Sequence, residues 1–181
     1  MCSSDLARQL ALKAEDLNQL IDDTLLLVRH EISKNQVKLI KDWGQNLPLV
    51  SADKIQIKQV FLNVFVNAIQ AMPEGGTLTL RTSVKQLTET THFEGSRNAD
   101  RLWMGQTAVI AEVEDTGTGI AEENLAKIFD PFFTTKPTGV GTGLGLPVSK
   151  KIIDLHGGSL DIRNMRGGGV RVIIMLKAFR K

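Results

Sequence analysis

The side chains best placed to bind a ligand are five amides on an otherwise apolar segment, residues 55–72. They recur every three or four residues, so a helix would carry them all on one face. A buried amide without a partner costs about 1–3 kcal/mol, so the row lines a polar cavity or a hydrogen-bonded seam, unless it is a solvated surface stripe. Two of them, one turn apart, can offer oxygens to a hard cation such as Mg²⁺. The amides are Gln56, Gln59, Asn63, Asn67 and Gln70, and the cation candidates are Asn63 and Asn67.

A second candidate is a glycine loop that follows a predicted strand, at residues 114–120. Gly117 and Gly119 let the backbone approach a flat ligand closely. Asp115, at the strand end, can accept a hydrogen bond from the exocyclic amine of a purine. Two alternatives are a turn without a ligand and an aspartic protease motif. The protease would need a symmetric dimer, because it requires two carboxylates and the chain has one Asp-Thr-Gly triplet.

A third candidate is the glycine-rich segment 139–147, which runs into a predicted helix. Backbone N–H groups at a helix start, together with glycines, form a cradle for phosphate. The spacing is GxGxG rather than the GxGxxG of dinucleotide-binding folds, and no strand precedes it. The sequence also has no Walker A motif and no protein-kinase catalytic loop. These features favour a flexible lid over a nucleotide.

Hydrophobic periodicity predicts the helices that position these groups. Residues 5–31 follow a helical pattern, with two helices meeting near Asp16. A capping box that starts at Asp53 opens a helix running to residue 72. A shorter helix is predicted over residues 147–156, with its proline in the first turn.

Alternating apolar residues predict the strands, and residues 86–106 between two of them are predicted to form an exposed loop or hairpin tip. Helices and strands alternate without a strict β-α-β rhythm. The sequence therefore predicts an α+β two-layer sandwich, with a mixed β-sheet and helices packed on one face. The predicted strands are residues 37–43, 77–85, 107–114, 159–164 and 170–177.

Composition narrows the class of protein. The chain has 181 residues, enough for one domain and an extension, with 42% hydrophobic and 23% charged residues. The net charge of +2 is close to neutral, whereas nucleic-acid-binding proteins usually carry a concentrated basic face. We therefore expect no nucleic acid partner. The single cysteine, Cys2, excludes an intrachain disulfide framework and suits a reducing compartment. Without an apolar run of 18 residues, we expect a cytoplasmic chain that makes no membrane contact.

Together the motifs resemble the ATP-binding catalytic domain of bacterial sensor histidine kinases, in the Bergerat-fold group. The resemblance covers roughly residues 16–181, which we expect to be that domain. Each motif alone is a weak signal, but their common order and spacing form a strong one. The matching segments are the N box at 59–68, the G1 box at 115–120, the F box at 128–136, the G2 box at 141–146 and the closing helix and turn at 152–158.

The resemblance implies ATP and Mg²⁺ as cofactors and a role for each matching residue. Asn67 would be a Mg²⁺ ligand, with Asn63 beside it near the phosphates as a possible second one. Asp115 would bind the adenine amine. The remaining ATP-binding residues implied are Gly117, Gly119 and Ile120 near the adenine, and Gly141, Thr142, Gly143, Leu144 and Gly145 around the phosphates.

The F box and two departures from the family pattern add further expectations. Phe132 and Phe133 would anchor the ATP lid, and Lys136 would approach the phosphates. Val170 stands where the family often has a threonine near the adenine. Gln70 stands where many relatives carry a cation toward phosphate, so Lys136 would compensate or the affinity would be lower.

The activity implied is transfer of the γ-phosphoryl group of ATP to a histidine on a dimerisation domain of the same kinase. A response-regulator receiver domain would then take the phosphoryl group, and the full-length parent would be a homodimer. Related hydrolases place a glutamate base where this chain has Asn63, which cannot act as a base, so transfer is favoured. The alternatives are a Bergerat-fold ATPase and a nucleotide-binding regulatory domain.

The phosphoacceptor histidine is expected to be absent from this chain. His30 lacks the proline of the acceptor pattern, and His156 is expected to pack or cap a helix. Residues 1–15 are predicted to be the remnant of a dimerisation helix. Residues 2–6 read like a translated sequencing adapter, so the natural protein is expected to continue upstream, and the parent's membrane anchoring is left open.

Overall fold

A computed structural model of the protein describes residues 10–87, 105–135 and 141–179. Its strands are β1 (Lys13–Glu15), β2 (Val37–Asp42), β3 (Val50–Ala52), β4 (Gly76–Gln86), β5 (Thr107–Asp115), β6 (Ser159–Asn164) and β7 (Val170–Lys177). Its helices are α1 (Leu17–Lys34), α2 (Lys54–Gln70), α3 (Glu122–Leu125) and α4 (Gly145–Leu155). No helix among these described residues is long and apolar enough to cross a membrane.

The main sheet has five strands in the order β2-β4-β5-β7-β6. β2 and β4 are parallel and the other neighbours are antiparallel, so the sheet is mixed. Helices α1, α2 and α4 pack together on one face and form the second layer. The predicted α+β two-layer sandwich is therefore confirmed.

The core lies between this helical layer and the sheet. Phe61 and Phe65 of α2 are fully buried, with ring centroids 5.8 Å apart. Alternate residues of each strand point toward them, for example Leu80 of β4, Val113 of β5 and Ile174 of β7. Burial of these large apolar side chains fixes α2 against the centre of the sheet.

Charged residues occupy the opposite face of the sheet. The carboxylate of Glu114 lies between two guanidinium groups, 2.7 Å from Arg81 Nη1 and 2.6 Å from Arg171 Nε. The contact to Arg171 is an ion pair rather than an aligned hydrogen bond. The last two residues of β5 therefore send one carboxylate to each side of the sheet, Glu114 outward and Asp115 toward the helices.

Aspartates start two of the helices. Asp53 accepts hydrogen bonds from the N–H groups of Ile55 and Gln56, so it caps α2 as predicted. The reciprocal half of the predicted capping box does not form, because the N–H of Asp53 donates to His156 Nε2 instead of the Gln56 side chain. Asp16 caps α1 by accepting from the N–H of Gln19. The predicted boundary near Asp16 is therefore a helix start.

The helix predicted before Asp16 is wrong where the structure describes it. Lys13–Glu15 form β1, which pairs antiparallel with β3. Asp16 has an extended backbone and ends the strand as it caps α1, so the apolar spacing across it does not reflect a helix. Residues 1–9 lie outside the described residues, and the dimerisation-helix remnant over residues 1–15 stays a prediction.

The remaining elements differ from prediction mainly at their ends. α2 ends two residues early, and α4 begins at Gly145, which leaves Pro147 in the first turn where its missing N–H costs nothing. β3 and α3 were not predicted, because three or four residues carry no readable period. Of the predicted loop at 86–106, Gln86 belongs to β4, and residues 88–104 lie outside the described residues.

Candidate functional site

A cavity of about 570 Å³ opens between α2, the ends of β5, β6 and β7, and the two glycine loops. It lies where the sequence placed the three candidate groups, and it brings most of the predicted site residues together. The predicted residues that border it are Asn63, Asn67, Asp115, Gly119, Ile120, Phe133, Gly141, Thr142, Gly143 and Gly145.

Three other predicted residues that the structure describes do not border the cavity. Gly117 and Leu144 lie in the bordering loops, and Phe132 is 75% exposed beside them. Lys136 lies outside the described residues, so its predicted approach to the phosphates stays a prediction.

Asp115 is buried at one end of the cavity, with 5% of its surface exposed. Its Oδ1 accepts hydrogen bonds from the N–H groups of Gly117, at 2.9 Å, and Val170, at 3.3 Å. Burial raises the pKa of this carboxyl, although the two N–H groups act in the opposite direction. Both described bonds use one oxygen, and the carboxylate borders the cavity, so it can accept a further hydrogen bond from a ligand.

The loop that follows Asp115 packs closely against the C-terminal end of α2. A Cβ on Gly117 would lie 2.6 Å from the carbonyl oxygen of Ala71, so only glycine fits there. Thr118 donates its N–H to the same carbonyl, at 3.3 Å. This packing fixes the loop as one wall of the cavity beside Asp115.

Asn63 connects α2 to the start of α4. Its Nδ2 donates to the carbonyl of Gly145 at 3.0 Å and lies 3.1 Å from Ser149 Oγ, and its Oδ1 accepts from Gln59 Nε2 at 3.2 Å. Ser149 is fully buried and also donates to the Gly145 carbonyl. Asn63 therefore holds the second glycine loop in place at its junction with α4.

Asn67 lies one turn further along α2, half-buried at the cavity wall. Its amide oxygen is a hard ligand, and with water and phosphate oxygens it suits Mg²⁺. Gln70 borders the cavity one turn beyond, whereas Gln56 and Gln59 do not. The predicted amide stripe therefore lines the cavity along its second half only.

The F box and the second glycine loop meet through their backbones. Phe132 donates its N–H to the carbonyl of Gly143 at 3.0 Å, and it does so with a positive φ of 67°. A Cβ on Gly143 would lie 2.4 Å from the carbonyl carbon of Phe132. This contact anchors the glycine loop through backbone geometry, and only glycine fits at position 143.

Asp115 is the only acidic residue among the described residues that border the cavity, and no lysine, arginine or histidine is among them. Sequence reasoning did not single out four polar lining residues, Thr118, Asn124, Thr134 and Thr135. Asn124 lies on α3, which gave no signal in the sequence. It also missed the apolar side chains that line the cavity, although the alternation of apolar residues in β5, β6 and β7 indicated which of them point inward. That lining includes Val113, Ile162 and Val172.

His156 is not part of the cavity lining. It is 5% exposed, and its Nε2 accepts from the N–H of Asp53 at 3.0 Å. Its Nδ1 lies 2.8 Å from the carbonyl of Ile152, so that nitrogen carries the proton. The predicted packing or capping role of His156 is consistent with this geometry, and His30 is exposed near the end of α1.

Comparison with known proteins identifies the family of the chain. Residues 52–180 match the family described as histidine kinase-, DNA gyrase B-, and HSP90-like ATPase. The chain is 41% identical over 163 residues to sensor kinase CckA of Brucella abortus, covering 89% of this chain and 16% of that protein. It is 35% identical over 160 residues to sensor histidine kinase ZraS of Escherichia coli strain K12, covering 88% and 30%. The chain thus spans less than a third of either relative.

Solved structures give the same result. The catalytic domain of histidine kinase ThkA superposes with a TM-score of 0.72 at 32% identity, covering 92% of this chain and 97% of that one. ThkA in complex with response regulator protein TrrA superposes with a TM-score of 0.69 at 30% identity, covering 93% and 42%. The chain belongs to the family of histidine kinase-, DNA gyrase B- and HSP90-like ATPases, and within it is homologous to the ATP-binding catalytic domains of sensor histidine kinases.

Proposed function

We propose that the cavity binds Mg²⁺-ATP. The chain then catalyses transfer of the γ-phosphoryl group from ATP to a histidine on a separate dimerisation domain of the same kinase. One observation carries the proposal. A buried carboxylate, Asp115, and two helix amides, Asn63 and Asn67, border one cavity together with a glycine loop. That arrangement offers an acceptor for a base at one end and oxygens and N–H groups for phosphates at the other.

The adenine end is built around Asp115. Its burial makes a hydrogen bond from an exocyclic amine stronger than it would be in water. Val170, which stands where the family often has a threonine, still donates its backbone N–H to the carboxylate. The apolar neighbours Val113 and Val172 suit the faces of a flat ring.

The phosphate end lacks a cationic side chain among the described lining residues. Mg²⁺, when bound there, would neutralise phosphate charge. Asn67 would hold it, with Asn63 securing the glycine loop and offering its Oδ1, which also accepts from Gln59, as a second oxygen ligand. We therefore expect nucleotide affinity to depend strongly on Mg²⁺.

Transfer to a protein acceptor fits the site better than hydrolysis. A hydrolase needs a base that activates water, and Asn63, which occupies the position of the hydrolases' glutamate, is a neutral amide engaged by Gln59, Gly145 and Ser149. In the proposed reaction, a histidine ring nitrogen bonds to the γ-phosphorus while the bond to the ADP oxygen breaks. The domain contributes mainly by positioning the nucleotide.

Exposed apolar side chains beside the cavity support a protein acceptor. Phe132, Leu144 and Val148 are 75%, 38% and 42% exposed. They form a surface on which a helix carrying the acceptor histidine can pack near the γ-phosphate. The ThkA–TrrA complex supports a receiver domain as the next phosphoryl acceptor.

The test is calorimetry of the chain with a non-hydrolysable ATP analogue, with and without Mg²⁺, together with a phosphate-release assay using ATP. We expect binding that Mg²⁺ strengthens and phosphate release at background rate. Absence of binding would favour a degenerate domain that uses the fold for regulation without nucleotide. Steady phosphate release well above background would favour a hydrolytic ATPase.

A further inference from the structure

Asn164, the last residue of β6, contacts the backbone of Ile120 with both ends of its amide. Its Oδ1 accepts from the N–H of Ile120 at 2.9 Å, and its Nδ2 donates to the carbonyl of Ile120 at 2.6 Å. Only this orientation of the amide makes both bonds, so they fix it. The two residues are 44 positions apart in the chain.

This clamp acts on the loop that borders the cavity. Ile120 and Gly119 both line it, whereas Asn164 lies outside the lining. Gly119 has a φ of +76°, and a Cβ there would approach Asn164 Oδ1 to 3.2 Å. The loop therefore fits closely between Asn164 and the cavity.

The clamp also engages both backbone polar groups of Ile120. The N–H and the carbonyl of Ile120 are both bonded to Asn164, so at this residue the wall offers a ligand chiefly an apolar side chain. The ionised carboxylate of Asp115, which only accepts hydrogen bonds, is the charged group of this end.

We propose that Asn164 is a positioning residue that sets the base selectivity of the nucleotide site. The proposal rests on the proposed function, namely that this cavity binds ATP. Adenine presents an amine donor to Asp115, whereas guanine presents a carbonyl oxygen that the carboxylate repels. Loss of Asn164 loosens the loop at Gly119 and Ile120, so adenine is held less closely against Asp115 and guanine can shift its oxygen away from the carboxylate.

The test compares the wild-type chain with Asn164→Ala by calorimetry, using non-hydrolysable ATP and GTP analogues with Mg²⁺. In Asn164→Ala we expect about tenfold weaker binding of the ATP analogue, which corresponds to about 1.4 kcal/mol. We expect a smaller loss, or a gain, for the GTP analogue, so that the ratio of the two affinities falls. Thermal unfolding of each variant identifies a temperature at which it is folded.

Two further variants complete the design. Asn164→Asp keeps the shape and the acceptor but loses the donor, so the selectivity ratio should fall in it as well, even if Asn164→Ala does not fold. Asn35→Ala is the matched control, because Asn35 also donates its amide to a backbone carbonyl but lies at the end of α1. It should keep wild-type affinity for both analogues.

The outcomes separate this proposal from the proposed function. Absence of ATP-analogue binding by the wild type overturns both. Wild-type binding with an unchanged selectivity ratio in the folded Asn164 variants overturns only the role of Asn164. Equal weakening of both analogues would likewise assign Asn164 a structural role and overturn the selectivity proposal.

Discussion

Asp115 is buried, and its carboxylate can still accept a hydrogen bond from a ligand. An Asp115→Asn variant can keep the bonds from Gly117 and Val170 through its carbonyl oxygen, while presenting an NH₂ group to the cavity. Because a hydrogen bond to a charged group contributes about 1.5–3 kcal/mol, the ATP analogue should bind about 10–100-fold more weakly. Calorimetry measures this. Asp42→Asn, on an exposed carboxylate of β2, is the control, and wild-type affinity in Asp115→Asn would remove Asp115 from the site.

The same residue should make stability depend on pH. Because burial raises its pKa in the folded state, folding opposes ionisation, and the penalty grows as pH rises from the ordinary value of 3.8 through the raised pKa. Without nucleotide, Asp115→Asn should therefore unfold at a higher temperature than the wild type at pH 7. The difference in unfolding temperature between Asp115→Asn and the wild type should shrink as pH falls through the raised pKa and stop changing below 3.8. Thermal melts across this range measure it, and a constant difference would contradict the prediction.

Asn67 offers a test of the proposed Mg²⁺ ligand. Loss of even an outer-shell partner of a metal costs about 10–100-fold in affinity, so Asn67→Ala should weaken Mg²⁺-dependent analogue binding at least about tenfold. Binding without Mg²⁺ should change much less. Gln56→Ala is the matched control, since Gln56 belongs to the same stripe but not to the cavity lining. Equal losses with and without Mg²⁺ would assign Asn67 to the nucleotide alone.

At the scale of elements, two hydrogen bonds, one at each end of the contact between α2 and α4, hold these helices together. Asn63 fastens the middle of α2 to Gly145 at the start of α4, and His156 after α4 accepts the N–H of Asp53, the cap of α2. Three N–H groups lower the pKa of Asp53, in opposition to burial, so this cap stays charged at neutral pH. The helix that carries the site amides is therefore held at its beginning and its middle.

His156→Ala should destabilise the fold without touching the cavity. It leaves the N–H of Asp53 without its acceptor and opens a small void, at a cost of about 1–3 kcal/mol in the free energy of unfolding. Denaturant titration measures this, and His30→Ala, on an exposed histidine, should unfold like the wild type. Wild-type stability in His156→Ala would show that water or a neighbour replaces the bond.

The elements also show how far sequence alone reaches. The amide stripe of α2 and the position of Asp115 at a strand end were readable, because helical and strand periodicities are local. The clamp of Asn164 on Ile120 was not, since it joins residues 44 positions apart. The positive φ of Phe132 could not be predicted either, because phenylalanine has no preference for the left-handed region of backbone conformation. β1 was masked by an apolar spacing that continued across Asp16.

At the scale of the whole molecule, nucleotide binding and phosphoryl acceptance are expected to reside in different domains. The chain incubated with Mg²⁺ and radiolabelled ATP should therefore acquire no acid-labile phosphate. His30, His92 and His156 are its only histidines, and His156 is buried. Acid-labile label on the wild type that disappears in His30→Gln would contradict this division.

The two carboxylates at the end of β5 have a consequence for strand pairing. If β5 slid by one residue against β4 and β7, every side chain would change sides. Glu114 would then enter the cavity, and Asp115, one methylene shorter, would face Arg81 and Arg171. The ion pairs of Glu114 with Arg81 and Arg171 on the outer face therefore favour the observed register, in which Asp115 and not Glu114 borders the cavity.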